Sequence, residues 1–288
     1  MRSAIRKELE SATQSFLVKE LREPYFDPNW HFHPHYQLFV VLEGTGTRFI
    51  GDSIKPFAAG DLVFLGPNLP HLWRSDAAYF QKDSGLETHG IVVYFKEDFL
   101  GKEFFQKQEM SQLNQLLQHA WQGMEWKGET RRQTEQKLKQ LAAAPPDFGR
   151  VLQLLHLLND LSHATEYNLI ASVGYTNTVT PEEAHRIRLV HEYVLSHFQE
   201  EIRLNAVADL VGMTASAFCR YFKTRSNKTF SDFVAEVRIG HACKLLMENR
   251  LSVAQICYEC GFGTLSNFNR QFRVITGNTP LNYRKVHQ

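Results

Sequence analysis

Cysteine is scarce in this sequence of 288 residues: there are four, Cys219, Cys243, Cys257 and Cys260, all in the last third. So few and so clustered, they exclude a disulfide-stapled secreted scaffold and leave reduced thiols as the expectation. Long apolar runs are missing as well. None approaches the roughly 20 residues that span a bilayer, and the charged opening stretch, residues 1–8, has no apolar segment behind it. Neither a membrane anchor nor a secretory leader is expected, and the reading is a cytoplasmic protein. An excess of one charge is also lacking, with 32 Lys and Arg against 31 Asp and Glu, which excludes a polyelectrolyte chain. Apolar residues at 43% and charged residues at 22% exclude disorder and collagen-like repeats. At roughly 100–200 residues per domain, the length predicts two domains.

The near-neutral balance hides a division. Residues 203–288 hold 12 Lys and Arg against 5 Asp and Glu, whereas the remainder holds 20 against 26. A basic C-terminal segment behind an acidic remainder fits contact with a polyanion, with the motifs left to decide which.

Residues 30–100 carry short β-type runs (38–42, 47–50, 62–65 and 91–95) separated by Gly, Pro and Asp, the pattern of a small sandwich or barrel. From about residue 102 the period becomes helical. Leu113, Leu116, Leu117, Ala120 and Trp121 form one stripe, and Val151, Leu152, Leu155, Leu158 and Leu161 another, with Pro145-Pro146 between. Leu154 and Leu157 widen the second stripe until that helix is apolar over most of its circumference. This predicts burial on more than one side, through a helix pair between two copies or through packing on the β domain. Residues 166–179 lose periodicity and read as a linker, after which Thr180, Pro181 and Glu183 give the signals of a helix start.

The basic end repeats itself. At an offset of 49 residues Val207, Ala208, Gly212 and Met213 match Ile256, Cys257, Gly261 and Phe262; at 50, Ser216, Phe218, Arg220, Phe222 and Lys223 match Ser266, Phe268, Arg270, Phe272 and Arg273. Each copy reads as a capping residue (Asn205; Ser252), a short helix, a glycine, a capping Thr (Thr214; Thr264) and a second amphipathic helix. That is a helix-turn-helix, twice. With the phenylalanines facing inward, Ser216, Cys219 and Arg220, and Ser266, Asn269 and Arg270, face outward as candidate base contacts: Arg can grip guanine and Asn adenine. Lys223, Arg225, Lys228, Arg273 and Arg284 are the candidate phosphate contacts. Apolar positions from 230 to 246 predict a connecting helix of about 18 residues, about 27 Å long, suited to two readers in successive major grooves. The Cys257–Cys260 pair, without other ligands nearby, reads as two core-facing thiols rather than a zinc site.

Residues 183–286, including the ending Gly277-Asn278-Thr279-Pro280-Leu281-Asn282-Tyr283-Arg284, resemble the DNA-binding domain of the AraC family of bacterial transcription regulators. The resemblance implies seven helices, with the residues named above on two recognition helices. Ser216 and Cys219 are weak hydrogen-bonding choices there.

In the β region, Trp30-His31-Phe32-His33-Pro34-His35-Tyr36-Gln37 alternates with period two, which puts His31, His33, His35 and Gln37 on one strand face. His71 ends another strand-like segment, with Trp73 beside it. These segments resemble the two cupin motifs, His31, His33, Gln37 and His71 falling on ligand positions, with Gln37 where metal-binding cupins have Glu. The cupin fold is a small β-barrel. Three readings stand open: a divalent metal on His31, His33 and His71; a sugar or other polar effector bound directly by His31, His33, His35, Gln37, His71 and Trp73; or hydrogen-bonded core histidines.

The expected fold class is multidomain α+β: a cupin-type effector-sensing barrel with an N-terminal arm over 1–100, a helical dimerisation region over 101–165, a linker over 166–180, and an all-α DNA-binding domain over 181–288. The expected function is a transcription regulator without catalytic residues or a required cofactor. Its expected partners are promoter DNA, a small-molecule effector of carbohydrate type, a second copy of the chain and RNA polymerase. A metal-dependent cupin enzyme, an isomerase or oxygenase, is the alternative.

Overall fold

The computed structural model describes residues 5–6, 14–81, 83–172, 175 and 181–286. Thr180 and most of the expected N-terminal arm lie outside these. The chain divides into two compact units, with the boundary between Asn177 and Thr178.

The first unit is built on strands β1 (Ile5–Arg6), β2 (Phe16–Glu23), β3 (His31–Phe32), β4 (Tyr36–Glu43), β5 (Gly46–Ile50), β6 (Ser53–Phe57), β7 (Leu62–Leu65), β8 (His71–Ser75), β9 (Thr88–Phe95), β10 (Met124–Trp126) and β11 (Tyr167–Leu169). They form a five-stranded sheet, β1-β3-β8-β5-β6, and a six-stranded sheet, β11-β10-β7-β4-β9-β2. β4, β7 and β9 are apolar almost without interruption because their sheet is buried on both faces. Phe39, Val41, Val63, Val92 and Tyr94 join Ile50 and Trp73 in one core cluster. The alternate residues Leu38, Val40, Leu62, Phe64, Ile91 and Val93 pack with three helices in another.

Those helices are α2 (Ser111–His119), α3 (Gly128–Ala143) and α4 (Phe148–His163), preceded by the short α1 (Lys102–Phe105). Residues 101–165 therefore belong to the barrel's own core instead of standing as a separate region. The expected linker also differs: Tyr167–Leu169 pairs with β10, and the Ser172 amide donates to the Asp52 carboxylate at 2.9 Å. A three-residue strand is too short to show a period, so composition alone read it as loop. On α4 the core face is Leu154, Leu157, Leu158 and Leu161, while Phe148 is 73% and Leu152 41% exposed. Trp121, expected on the buried stripe, is 50% exposed because the helix ends at His119 and its period stops there.

The second unit contains seven helices among its described residues: α5 (Pro181–His197), α6 (Leu204–Leu210), α7 (Ala215–Ser226), α8 (Phe230–Glu248), α9 (Val253–Glu259), α10 (Leu265–Thr276) and α11 (Pro280–Val286). The connecting helix α8 runs 19 residues. Phe218 and Phe222 close one core against Phe230 and Phe233, and Phe268 and Phe272 close the other against Phe262 and Tyr283. Cys243, Cys257 and Cys260 are buried in that second core, and burial pushes the Cys260 thiol up to about 12. They act as small apolar groups.

Candidate functional site: a polar barrel interior and a double helix-turn-helix

The histidine stripe does not lie on one strand. Pro34 interrupts it, so His31 sits on β3 in the five-stranded sheet while Gln37 sits on β4 in the other. The sandwich brings them back together across its interior. Register pairs His31 with His71, Ile50 with His71 and Arg48 with Trp73, so these side chains share one face. On the opposite sheet Gln37 pairs with Tyr94, and Val63 with Glu125.

The imidazoles of His31, His33 and His71 place one ring nitrogen each within 4.8 Å of the others. Their Nδ1 atoms are all engaged by backbone carbonyls: His31 to Asn29 at 2.7 Å, His33 to His35 at 3.1 Å, and His71 to Leu69 at 2.7 Å. A carbonyl only accepts, so each Nδ1 carries a proton. Burial also pushes His33 down to about 4, which keeps it neutral near pH 7. Gln37 Oε1 is placed 2.9 Å from His33 Nε2, and the oxygen and nitrogen of a side-chain amide are interchangeable by a flip. With His33 neutral and its proton on Nδ1, the flipped amide, presenting its NH2 group to Nε2, satisfies both groups. His35 is buried with its ring 5.9 Å from His33, outside the convergent trio.

The barrel interior holds a second polar group that sequence reasoning missed. Arg48, 3% exposed, is ion-paired with Glu125, 4% exposed, and its Nε lies 3.4 Å from Asp61 Oδ2. Glu125 is far from Arg48 in sequence and lies on a short strand, so no local spacing announces the pair. The signal that could have found Arg48 is a lone cation inside the otherwise strand-like Thr47-Arg48-Phe49-Ile50. Trp73, 5.7 Å from the His71 ring and 4.8 Å from Phe39, links the two polar groups. Burial also raises the Tyr94 phenol, whose ring is 5.2 Å from His33.

In the C-terminal unit each helix-turn-helix forms for visible local reasons. Thr214 caps α7 by accepting from the Ala217 amide, and Thr264 caps α10 by accepting from Asn267. Ser252 and Gln255 make a full capping box on α9. On α6 the N-cap is Arg203, not Asn205, which is already helical; that helix starts without a side-chain cap. Gly212 and Gly261 take the left-handed turn conformation, at φ +68° and +79°.

Ser216, Cys219, Arg220, Ser266, Asn269 and Arg270 are all exposed. Asn267, missed from sequence, accepts from Arg270 Nη2 at 3.0 Å and so holds that guanidinium in place. Lys223 and Arg273 are exposed, and Arg225 is half-buried. Of the other expected phosphate contacts, Lys228 Nζ pairs with Glu236 at 2.6 Å, and Arg284 donates to the Leu251 carbonyl at 2.7 Å.

A β-barrel with a polar interior followed by a paired helix-turn-helix defines a DNA-binding regulator. A cupin domain model matches residues 22–78 and a helix-turn-helix domain model residues 207–286. The chain is 25% identical over 279 residues to the HTH-type transcriptional activator RhaS of Escherichia coli, covering 92% of this chain and 91% of that one. It is 31% identical over 105 residues to the uncharacterized HTH-type transcriptional regulator YdeC of Bacillus subtilis, about a third (36%) of each. Among solved structures, a probable AraC family transcriptional regulator from Rhodopseudomonas palustris aligns at 24% identity and TM-score 0.34, over 36% of this chain and 97% of that one. The chain carries a cupin domain and a helix-turn-helix domain, and over nearly its whole length it is similar to proteins named as transcriptional regulators. Among the described residues no helix is long and apolar enough to cross a membrane.

Proposed function

We propose that the protein is an effector-responsive transcription regulator whose cupin interior takes a small oxygen-rich molecule of carbohydrate type. The observation that carries this reading is the composition of that interior. Imidazoles, an Arg–carboxylate pair and the Trp73 face are all buried together, and among the described residues Trp73 Nε1 and Arg48 Nη1 have no hydrogen-bond acceptor. Buried donors of this kind call for an acceptor, and sugar hydroxyls stacked on an indole supply it. The DNA face is formed by Ser216, Cys219, Arg220, Ser266, Asn269 and Arg270 toward bases, with Lys223, Arg225 and Arg273 toward promoter phosphates. Effector binding shifts the population between states that present this face differently, which requires unequal effector affinity in the two. The exposed Phe148 and Leu152 of α4 supply an apolar face for a second copy of the chain. RNA polymerase is the partner through which promoter binding acts.

All four tryptophans (Trp30, Trp73, Trp121, Trp126) lie in the first unit. Thermal unfolding followed by tryptophan emission therefore tests the effector directly. A ligand at 100 times its Kd stabilises the barrel by about 2.7 kcal/mol. One sugar in a mono- and oligosaccharide panel should raise the transition, and Trp73→Ala should abolish the response. A barrel that responds to no sugar in the panel contradicts the carbohydrate assignment.

The convergence of His31, His33 and His71, one ring nitrogen each within 4.8 Å of the others, favours a second reading of the same interior. The three imidazoles, each oriented by a backbone carbonyl, fit a divalent transition metal. Such an ion would supply Lewis acidity toward effector oxygens. Gln37 adds no negative charge to it. One metal per chain in the purified protein, lost in His33→Ala, would establish this reading; a folded, metal-free protein that takes up neither zinc nor nickel would remove it.

A further inference from the structure

A seam joins the two helix-turn-helix motifs. Arg238 lies in the middle of α8. Its Nε donates to the Phe198 carbonyl at 2.7 Å and its Nη2 to the Glu200 carbonyl at 2.8 Å. The same guanidinium stands over the Phe262 ring, 5.6 Å from its centroid. Phe198 and Glu200 lie in the connection that enters the first helix-turn-helix, and Phe262 belongs to the turn of the second. One side chain thus ties that connection, the turn of the second motif and the helix between the motifs.

Two further contacts close the same seam. Gln199 Nε2 donates to the Glu259 carbonyl at 3.1 Å. Gly261 approaches so closely that a Cβ there would stand 2.5 Å from the Phe198 carbonyl oxygen. Beside the seam runs a groove of about 890 Å³, lined by Lys223 of α7, by Asn267 and Arg270 of α10, and by Arg238 itself. The seam borders the gap between the recognition helices.

A connecting helix alone fixes how far apart two readers stand, but not how each is turned about it. On DNA those two quantities are coupled: one extra base pair between two blocks moves the second by about 3.4 Å and turns it by about a tenth of a helical turn. We propose that Arg238 is a positioning residue that fixes the angle between the two recognition helices, and thereby sets the spacing between the two DNA blocks the protein accepts. The inference rests on both recognition helices reading DNA, as proposed above.

The test uses the full-length protein and a duplex library in which the two selected blocks are separated by every spacing within three base pairs of the preferred one. Wild-type protein should prefer one spacing over its neighbours by about tenfold, the scale of one mismatched base pair. Arg238→Ala should flatten that preference to about twofold while its affinity for a duplex carrying a single block stays within about twofold of wild type. Arg238→Lys, which keeps a charge and one donor for the two carbonyls, should fall between. Gln199→Ala, which removes the donor to the Glu259 carbonyl and leaves both turns intact, should weaken the preference in the same direction and serves where Arg238→Ala fails to fold. Variants that lose affinity equally for single-block and two-block DNA, with the spacing preference as sharp as wild type, would overturn the inference alone. A wild-type protein that enriches only one block would overturn the two-reader reading, and this inference with it.

Discussion

Removing the Glu125 carboxylate should strand a cation inside the barrel. Arg48 is 3% exposed, and its partners are Glu125, also buried, and Asp61, 3.4 Å from its Nε. Breaking a buried pair by deleting one member costs roughly 3–5 kcal/mol, because the other charge keeps its desolvation penalty and loses its compensation. Asp61 remains, so the lower end of that range, about 3 kcal/mol, is expected for Glu125→Ala. With a urea slope of about 2 kcal/mol/M for a unit of this size, the midpoint falls by about 1.5 M. Tryptophan emission follows this unit alone, since the other carries no tryptophan. Replacing both charges, Arg48→Met with Glu125→Leu, should recover most of the loss, because a well-packed apolar pair needs no compensation. The same double variant should lose effector binding, since it removes the donor proposed to meet the ligand. A Glu125→Ala shift below about 0.3 M, or a double variant as unstable as the single one, would refute the burial argument.

Other expectations concern the C-terminal unit. His191 is buried against Phe233, their rings 4.6 Å apart, and burial pushes it down to about 3. The unfolded chain takes up a proton below about 6.5 while the folded one does not until about 3. Stability is therefore lost as pH falls through that window, by about 2 kcal/mol between pH 7 and pH 5. His191→Phe should remove this part of the pH dependence in circular-dichroism urea titrations, and an unchanged slope would count against it. Ser252→Ala removes a capping box and should cost about 1 kcal/mol in the same titrations, with no change taken as evidence that α9 does not depend on its cap. Arg270→Ala should cost about 1–3 kcal/mol of discrimination at one base pair, and an equal loss on every duplex would make Arg270 a phosphate contact instead.

Much of this architecture was legible because its signals are local. The doubled motif carries Thr214 and Thr264 as caps, Gly212 and Gly261 as turns, and paired phenylalanines four residues apart, each set by its own helix. The long strands β4, β7 and β9 were equally plain as apolar runs bounded by turn residues. What escaped is what depends on contacts remote in sequence. β10 and β11 are three residues each and owe their existence to the sheet they extend. The Arg48–Glu125 pair spans 77 residues. Arg284 and Lys228 looked like free cations until the fold placed the Leu251 carbonyl and Glu236 beside them. Pro34 separates β3 from β4 within the histidine alternation, and a period-two pattern does not encode that break. The four residues nonetheless ended in one interior, because two facing sheets can do what one strand face was expected to do.

The central claim, that this chain reads DNA in response to a molecule held in its barrel, meets its most direct test in one selection. Purified full-length protein is used to enrich sequences from a random duplex pool, and binding to the winners is then measured with and without each sugar of a panel. The account predicts two short blocks about one helical turn apart, with affinity or preferred spacing altered by one sugar. A pool in which no sequence is enriched at low salt, or selected sites whose binding no small molecule alters, would contradict it.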